Sequence, residues 1–177
     1  RRAIVRGVAV PGTRESSTMA STSIRDEPDV LMRPAGHLTG HRGEVRTLHC
    51  PVGDERLASG SEDGTVRVWD LNAGRTARAL ILTSEPDCAV NAVCMGASNL
   101  VFAAAGVHVF GFDLRAPGLV LHDPERRLVD VARDEIGHLL LDEASGVLAA
   151  ADDAGEIHLL DTRAGRPTLT LSGVHTS

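Results

Sequence analysis

Residues 38–71 read LTGHRGEVRTLHCPVGDERLASGSEDGTVRVWDL, and this stretch decides the fold. Gly40-His41 opens it and Trp69-Asp70 closes it. Val45, Thr47 and His49 alternate with Arg46, Leu48 and Cys50, the period of a strand. Arg56 to Ser61 reads as a second strand, ended by Glu62-Asp63-Gly64. Asp-Gly between two alternating runs predicts a tight hairpin in which both central residues take φ > 0. Thr65 to Trp69 is the third strand, with Val66 and Val68 on one face. Asn72-Ala73-Gly74 turns the chain into a fourth extended run, Thr76 to Leu82. The result is four antiparallel strands from one short segment.

Two weaker copies follow. In the second, Val90–Val93, Leu100–Ala104 and Val107–Phe112 take the places of the first three strands, and Leu119–His122 is expected as the outer one. Phe112-Asp113 stands where Trp69-Asp70 stood. The third runs from Ile136 through Val147–Ala151 and Ile157–Asp161 and extends outward at Thr168–Leu171. The closing aspartates Asp70, Asp113 and Asp161 are 43 and 48 residues apart. Neither later copy has the Trp, and Gly137-His138 falls inside a predicted strand rather than before it. Ala104 and Ala150 stand near the place of Ser59.

A Gly-His to Trp-Asp unit of this spacing resembles one blade of the WD-repeat β-propeller family, whose repeats run about 40–45 residues. The resemblance implies an all-β fold, here about three four-stranded blades of an incomplete ring, because propellers close with about four to eight. The expected organisation is a disordered tail over 1–29, then a partial propeller over 30–177 with blades at about 38–84, 86–123 and 130–172. Val30-Leu31-Met32-Arg33 is expected to be a lone outer strand. The chain starts at Arg1 and stops just after Gly173-Val174-His175, and is read as the opening part of a longer ring.

In such repeats the positions of His41, Ser59, Asp63 and Trp69 form a buried chain of hydrogen bonds, so the resemblance gives these four a structural role. A network of this kind stabilises only when every member is satisfied. It is expected to be lost from the second and third blades, with small apolar residues filling the space. Reading His41, Ser59 and Asp63 as a hydrolytic triad fails on context, since no strained strand-to-helix turn presents Ser59 as a nucleophile.

The family also includes substrate receptors of cullin-4 ubiquitin ligases, which dock on the ligase's damaged-DNA-binding adaptor protein through a box ending W-D-x-R. Phe112-Asp113-Leu114-Arg115 and Leu160-Asp161-Thr162-Arg163 resemble that ending without its Trp, while the first repeat has Asn72 in place of Arg. Asp113, Arg115, Asp161 and Arg163 are therefore the candidate partner-binding residues. The other reading of Asp113 and Arg115 is an ion pair within the turn. The remaining function classes are a generic scaffold, a binder of histone tails or other basic peptides, and a propeller enzyme. No convergent catalytic set supports the last.

Composition sets further bounds. All 18 basic residues are Arg, and from Gly36 onward 12 Arg face 20 Asp plus Glu, a net charge of −8. Such a body does not suit the phosphate backbone of nucleic acid; it suits a basic partner, or simply solvated acidic turns. No apolar run reaches the ~18 residues of a membrane helix. Cys50, Cys88 and Cys94 show no CxxC or CxxH pairing, so they support no zinc site. Cys50 and Cys94 are expected as buried, reduced thiols on first strands. No metal or cofactor is expected, a small-molecule ligand is disfavoured, and the compartment is expected to be intracellular, cytoplasmic or nuclear. Residues 12–23, GTRESSTMASTS, cannot bury a core. The Arg-rich start before them reads as a targeting remnant or, preferably, as translated upstream sequence with Met19 as the start.

Overall fold

In the computed structural model, which describes residues 36–82, 88–122, 126–128 and 131–173, the alternation in residues 38–71 becomes an antiparallel meander. Its strands are β1 (Val45–His49), β2 (Arg56–Ser61), β3 (Thr65–Asp70) and β4 (Arg75–Ile81). The second repeat supplies β5 (Val90–Met95), β6 (Leu100–Ala105) and β7 (His108–Asp113). Then come β8 (Val120–Leu121) and β9 (Arg126–Leu128). The third forms β10 (Ile136–Asp142), β11 (Val147–Asp152), β12 (Ile157–Asp161) and β13 (Arg166–Leu171). The sheets run β1-β2-β3-β4-β8, β5-β6-β7-β9 and β10-β11-β12-β13. The first strands lie side by side, β1 against β5 and β5 against β10, and among the described residues the sheets do not close into a ring. The expected tail and the strand at Val30–Arg33 lie outside the described residues.

The repeat is written in the register. Each closing aspartate pairs with the first residue of its second strand: Arg56 with Asp70, Leu100 with Asp113 and Val147 with Asp161. The bulges recur too. The first-to-second strand pairing slips between Val45 and Thr47, Val90 and Ala92, and Ile136 and His138. A bulge adds twist and bend at one fixed place in each blade.

Alternation gives every sheet two faces, and both faces of the second blade are used. Ala58, Val66 and Val68 of the first blade share a core with Val101, Phe110 and Phe112 of the second. On the other side Phe102, Ala104 and Val109 meet Leu148, Ala150 and Leu160 of the third. Phe110 and Phe112 are fully buried, each contributing about 1.5–3 kcal/mol of transfer free energy. At Gly60 the backbones come close: a Cβ there would lie 2.5 Å from Val90 Cγ1 and 2.6 Å from Thr47 Cγ2.

Three expectations are corrected. The outer strand of the second blade is Arg126–Leu128, not Leu119–His122, and lies beyond the boundary expected at 123. Val120–Leu121 instead pairs in parallel with β4, Ala79 with Val120 and Leu80 with Leu121. The Ala79 N–H also bonds Leu119 O at 2.8 Å. The reason is that β4 would otherwise leave an unpaired edge, and Leu121 packs partly into the first core while covering it. The hairpin after β2 is not the two-residue turn. Gly64 takes φ +72° whereas Asp63 is not left-handed, and the Gly64 N–H closes onto Ser61 O at 3.2 Å. This is the three-residue loop, a type I turn followed by a left-handed Gly. Asp63 is thereby left free to aim its carboxylate inward. Finally, Cys50 lies just past β1 and is exposed, while Cys94 is buried as expected.

Candidate functional site

The first blade brings His41, Ser59, Asp63 and Trp69 together from four places in the repeat. Ser59 on β2 and Trp69 on β3 share one face of the sheet. There the indole Nε1–H donates to Ser59 Oγ at 2.8 Å, and Ser59 Oγ lies 2.7 Å from His41 Nε2. His41 Nδ1 lies 3.0 Å from Asp63 Oδ2. One proton arrangement satisfies all four: Trp69 donates to Ser59, Ser59 to His41 Nε2, and His41 Nδ1–H to Asp63. Asp63 also accepts the Arg42 N–H at 2.8 Å, the Thr65 N–H at 3.0 Å and the Thr65 hydroxyl at 2.6 Å. Burial alone pushes the Asp63 carboxyl up. The hydrogen bonds from Thr65, Arg42 and His41 outweigh it and hold the pKa down to about 2. The carboxylate is thus a fixed negative end for the chain.

Ser59 and Trp69 are 2% and 3% exposed, so the serine faces the interior with its oxygen already bonded on two sides. Register identifies its counterparts as Ala150 and, one residue earlier than expected, Ala103. Phe112 and Leu160 take the place of Trp69. The chain is replaced by apolar packing in the second blade. In the third blade Ala150 and Leu160 likewise stand where the chain would run, and a separate polar cluster lies beside them. There His158 Nε2 lies 3.1 Å from Asp152 Oδ2, and His158 Nδ1 lies 3.2 Å from Thr170 Oγ1. Neither His158 nor Asp152 is among those the sequence singles out. The signal was available in β-alternation, which puts Asp152 on the face of Leu148 and Ala150, and His158 on that of Leu160.

The four candidate partner-binding residues lie on the rim where first strands end and third strands turn into fourth. Arg115 closes a two-pronged ion pair on Asp113, Nε to Oδ1 at 2.9 Å and Nη2 to Oδ2 at 2.5 Å. The Arg115 side chain is 70% exposed, and its hydrogen bonds hold the Asp113 carboxyl below the usual carboxylate range. Asp161 accepts the Arg163 and Ala164 N–H groups at 2.7 and 2.9 Å. The same rim is tied across blades by contacts that the sequence does not announce. Arg56 bonds Asp54 at 2.6 Å within its own blade and reaches Asn99 Oδ1 of the second at 2.6 Å. Glu143 of the third accepts the Ala97 N–H at 2.9 Å, and the Ser98 N–H and hydroxyl at 3.0 and 2.6 Å. On the opposite rim Glu44, Glu135 and Asp153 line one recess with Arg46.

Among the described residues no helix is long and apolar enough to cross a membrane. The three free cysteines form no pair. Burial pushes the Cys94 thiol up to about 12, despite the Phe102 backbone hydrogen bond that lowers it.

The meander with its internal indole–serine–histidine–aspartate chain defines a WD-repeat propeller blade, and residues 32–70 match the family WD domain, G-beta repeat. The fold of all three sheets is that of a WD-repeat propeller. It overlays the WD40 β-propeller domain of Doa1 with a TM-score of 0.63 at 22% identity, covering 77% of this chain and 42% of that one. Among curated proteins the chain is similar to the WD repeat-containing protein 53 homolog of Dictyostelium discoideum. Identity is 29% over 140 residues, 79% of this chain and 38% of the relative. It is also 39% identical over 93 residues to ribosome biogenesis protein erb1 of Aspergillus fumigatus, covering 52% of this chain and 11% of that one. The chain therefore spans well under half the length of the curated relatives it matches.

Proposed function

We propose that this chain is part of a propeller that works as an intracellular protein-interaction scaffold, without chemistry of its own, and that it engages its partner at the rim bearing Arg115 and Arg163. The observation that carries the reading is the equivalence of Asp113/Arg115 and Asp161/Arg163. They occupy the same position of two adjacent blades, two residues apart each time, on one rim. The side chains with the look of a hydrolytic triad are spent on holding the first blade together, which leaves the rims as the chemically varied surfaces.

The finer reading is a substrate receptor of a cullin-4 ubiquitin ligase, with Arg115 and Arg163 pairing with carboxylates of the ligase's adaptor. A guanidinium offers two parallel donors to a carboxylate, which an ammonium cannot. In the full-length protein, Arg115→Ala with Arg163→Ala is expected to weaken co-purification of the adaptor by more than about tenfold, equivalent to about 1.4 kcal/mol. Undiminished adaptor binding by a folded double variant refutes the receptor reading and leaves the scaffold. A second reading, a basic peptide held by Glu44, Glu135 and Asp153, is favoured by the three carboxylates around one recess. Titration with an Arg-rich peptide tests it, with Glu135→Gln expected to weaken binding.

A further inference from the structure

We propose that Asp152, Glu156 and His158 of the third blade form a site for a divalent transition-metal ion, with zinc as the fitting example. His158 Nε2 and one oxygen from each carboxylate all lie within 4.8 Å of one another. Two of the separations are 3.1 Å, from His158 Nε2 to Asp152 Oδ2, and 3.9 Å, from His158 Nε2 to Glu156 Oε2. Zinc binds nitrogen and carboxylate oxygen at about 2.0–2.2 Å, so neighbouring ligand atoms in a tetrahedral site sit about 3.3 Å apart. These two separations bracket that figure. Closing of Glu156 onto the other two brings the third donor in.

The donors are held from behind. Asp152 Oδ1 accepts the Glu156 N–H at 2.8 Å, and the Asp152 carboxylate also takes the Arg133 N–H, which leaves Oδ2 turned toward the imidazole. His158 Nδ1 faces Thr170 Oγ1 at 3.2 Å. When Nδ1–H donates to that hydroxyl, Nε2 carries its lone pair into the cluster, the tautomer a metal needs. An outer partner on the far ring nitrogen is the usual device for orienting a metal-binding histidine. The Asp152 and His158 side chains are 0% and 3% exposed and Glu156 is 12%, so two carboxylates are gathered around one imidazole away from water. A divalent ion compensates that charge more completely than one imidazole does. The nearby cation, Arg133, has its Nη1 3.7 Å from Glu156 Oε1. Its side chain is 82% exposed, so it can move into solvent and leave Oε2 for the metal. Histidine with carboxylates is a donor set for zinc and its neighbours rather than for calcium, which takes only oxygen. Water completes the coordination.

The test uses the whole chain, stripped with EDTA and titrated with zinc chloride by calorimetry, then with cobalt chloride followed in the visible. The expected result is one zinc per chain and a cobalt spectrum with ligand-field bands of a nitrogen and oxygen site, lacking the sulfur-to-cobalt band. Thr170→Val, which keeps all three donors, is expected to weaken zinc binding about tenfold, and Glu156→Gln at least as much. Glu156 lies at the edge of the cluster, so its variant is expected to keep the parent's circular dichroism, and His158→Gln serves as the deeper variant. The proposal is overturned if zinc does not bind stoichiometrically, if folded Glu156→Gln binds it as well as the parent, or if cobalt reports thiolate ligation.

Discussion

Ser59→Ala removes one oxygen and leaves two partners behind. Trp69 Nε1–H loses the acceptor it holds at 2.8 Å, and His41 Nε2 loses the hydroxyl at 2.7 Å. Each sits in a water-poor interior, where an abandoned polar group costs about 1–3 kcal/mol. The substitution is therefore expected to destabilise the chain by about 2–4 kcal/mol, a large share of a domain's total of about 5–15 kcal/mol. The cost is a property of the unpaired partners, and a double-mutant cycle isolates it. In Trp69→Phe the donor disappears while Ser59 keeps His41. In the Ser59→Ala, Trp69→Phe pair, the indole N–H that Ser59→Ala would have orphaned is gone as well. The two losses are then expected to be less than additive by about 1–2 kcal/mol, within the range seen for residues in one network. Urea unfolding followed by circular dichroism measures all four corners, and the single Trp of the chain allows fluorescence as a second probe for the variants that keep it. If Ser59→Ala costs under ~0.5 kcal/mol, or the two substitutions add, the hydrogen-bond chain does not stabilise this blade.

Two other expectations follow from single groups. His49 Nδ1 accepts the Met95 N–H at 3.1 Å across the first two blades, and burial lowers the His49 pKa below 6.5. The unfolded state then takes up the proton first, so His49's contribution is complete above about pH 6.5 and is lost as pH falls through the folded pKa. Unfolding midpoints measured from pH 7.5 to 5 are expected to show that decline, and His49→Gln to flatten it. Cys50 is exposed whereas burial holds the Cys94 thiol near 12, so iodoacetamide followed by peptide mass spectrometry is expected to label Cys50 in the native chain and Cys94 only after denaturation.

What the sequence announces is what a single strand or turn decides locally. Val45, Thr47 and His49, or Val66 and Val68, display their period without reference to anything else, and β1, β2 and β3 fall where that period puts them. Gly106 with φ +56° and Gly64 with φ +72° mark reversals that need a left-handed residue. The misreadings occur where a partner elsewhere in the fold intervenes. Residues 119–122 look extended, and Val120–Leu121 is a strand, but its partner is the open edge of β4, a competition no local pattern reveals. Asp63 looks like a turn residue with a left-handed backbone. Its carboxylate instead takes four donors, the His41 Nδ1–H, the Arg42 N–H and the Thr65 N–H and hydroxyl, and the turn adjusts to serve them. His158 and Asp152 were legible as buried positions, but their meeting depends on the pairing of β11 with β12, six residues apart around a hairpin.

The same place in the repeat is filled in three ways: an indole–serine–histidine–aspartate chain, a Phe112 and Ala103 packing, and an Ala150 and Leu160 packing with the Asp152–His158 pair nearby. Only the register of the second and third strands is common to the three, and geometry alone therefore does not assign a role. His41 lies within hydrogen-bond reach of both Ser59 and Asp63, distances suited to an acyl-transfer triad. Burial distinguishes the two roles. A nucleophile must meet a carbonyl, whereas Ser59 is 2% exposed and already accepts from Trp69. The rim presents the opposite case. The Asp113–Arg115 pair spans two residues of one turn, so it contributes only about 0–1 kcal/mol to folding. A pair with so little structural value can change with a partner's needs at almost no cost to the blade, which is why the rim rather than the interior is the place to look for what this chain recognises.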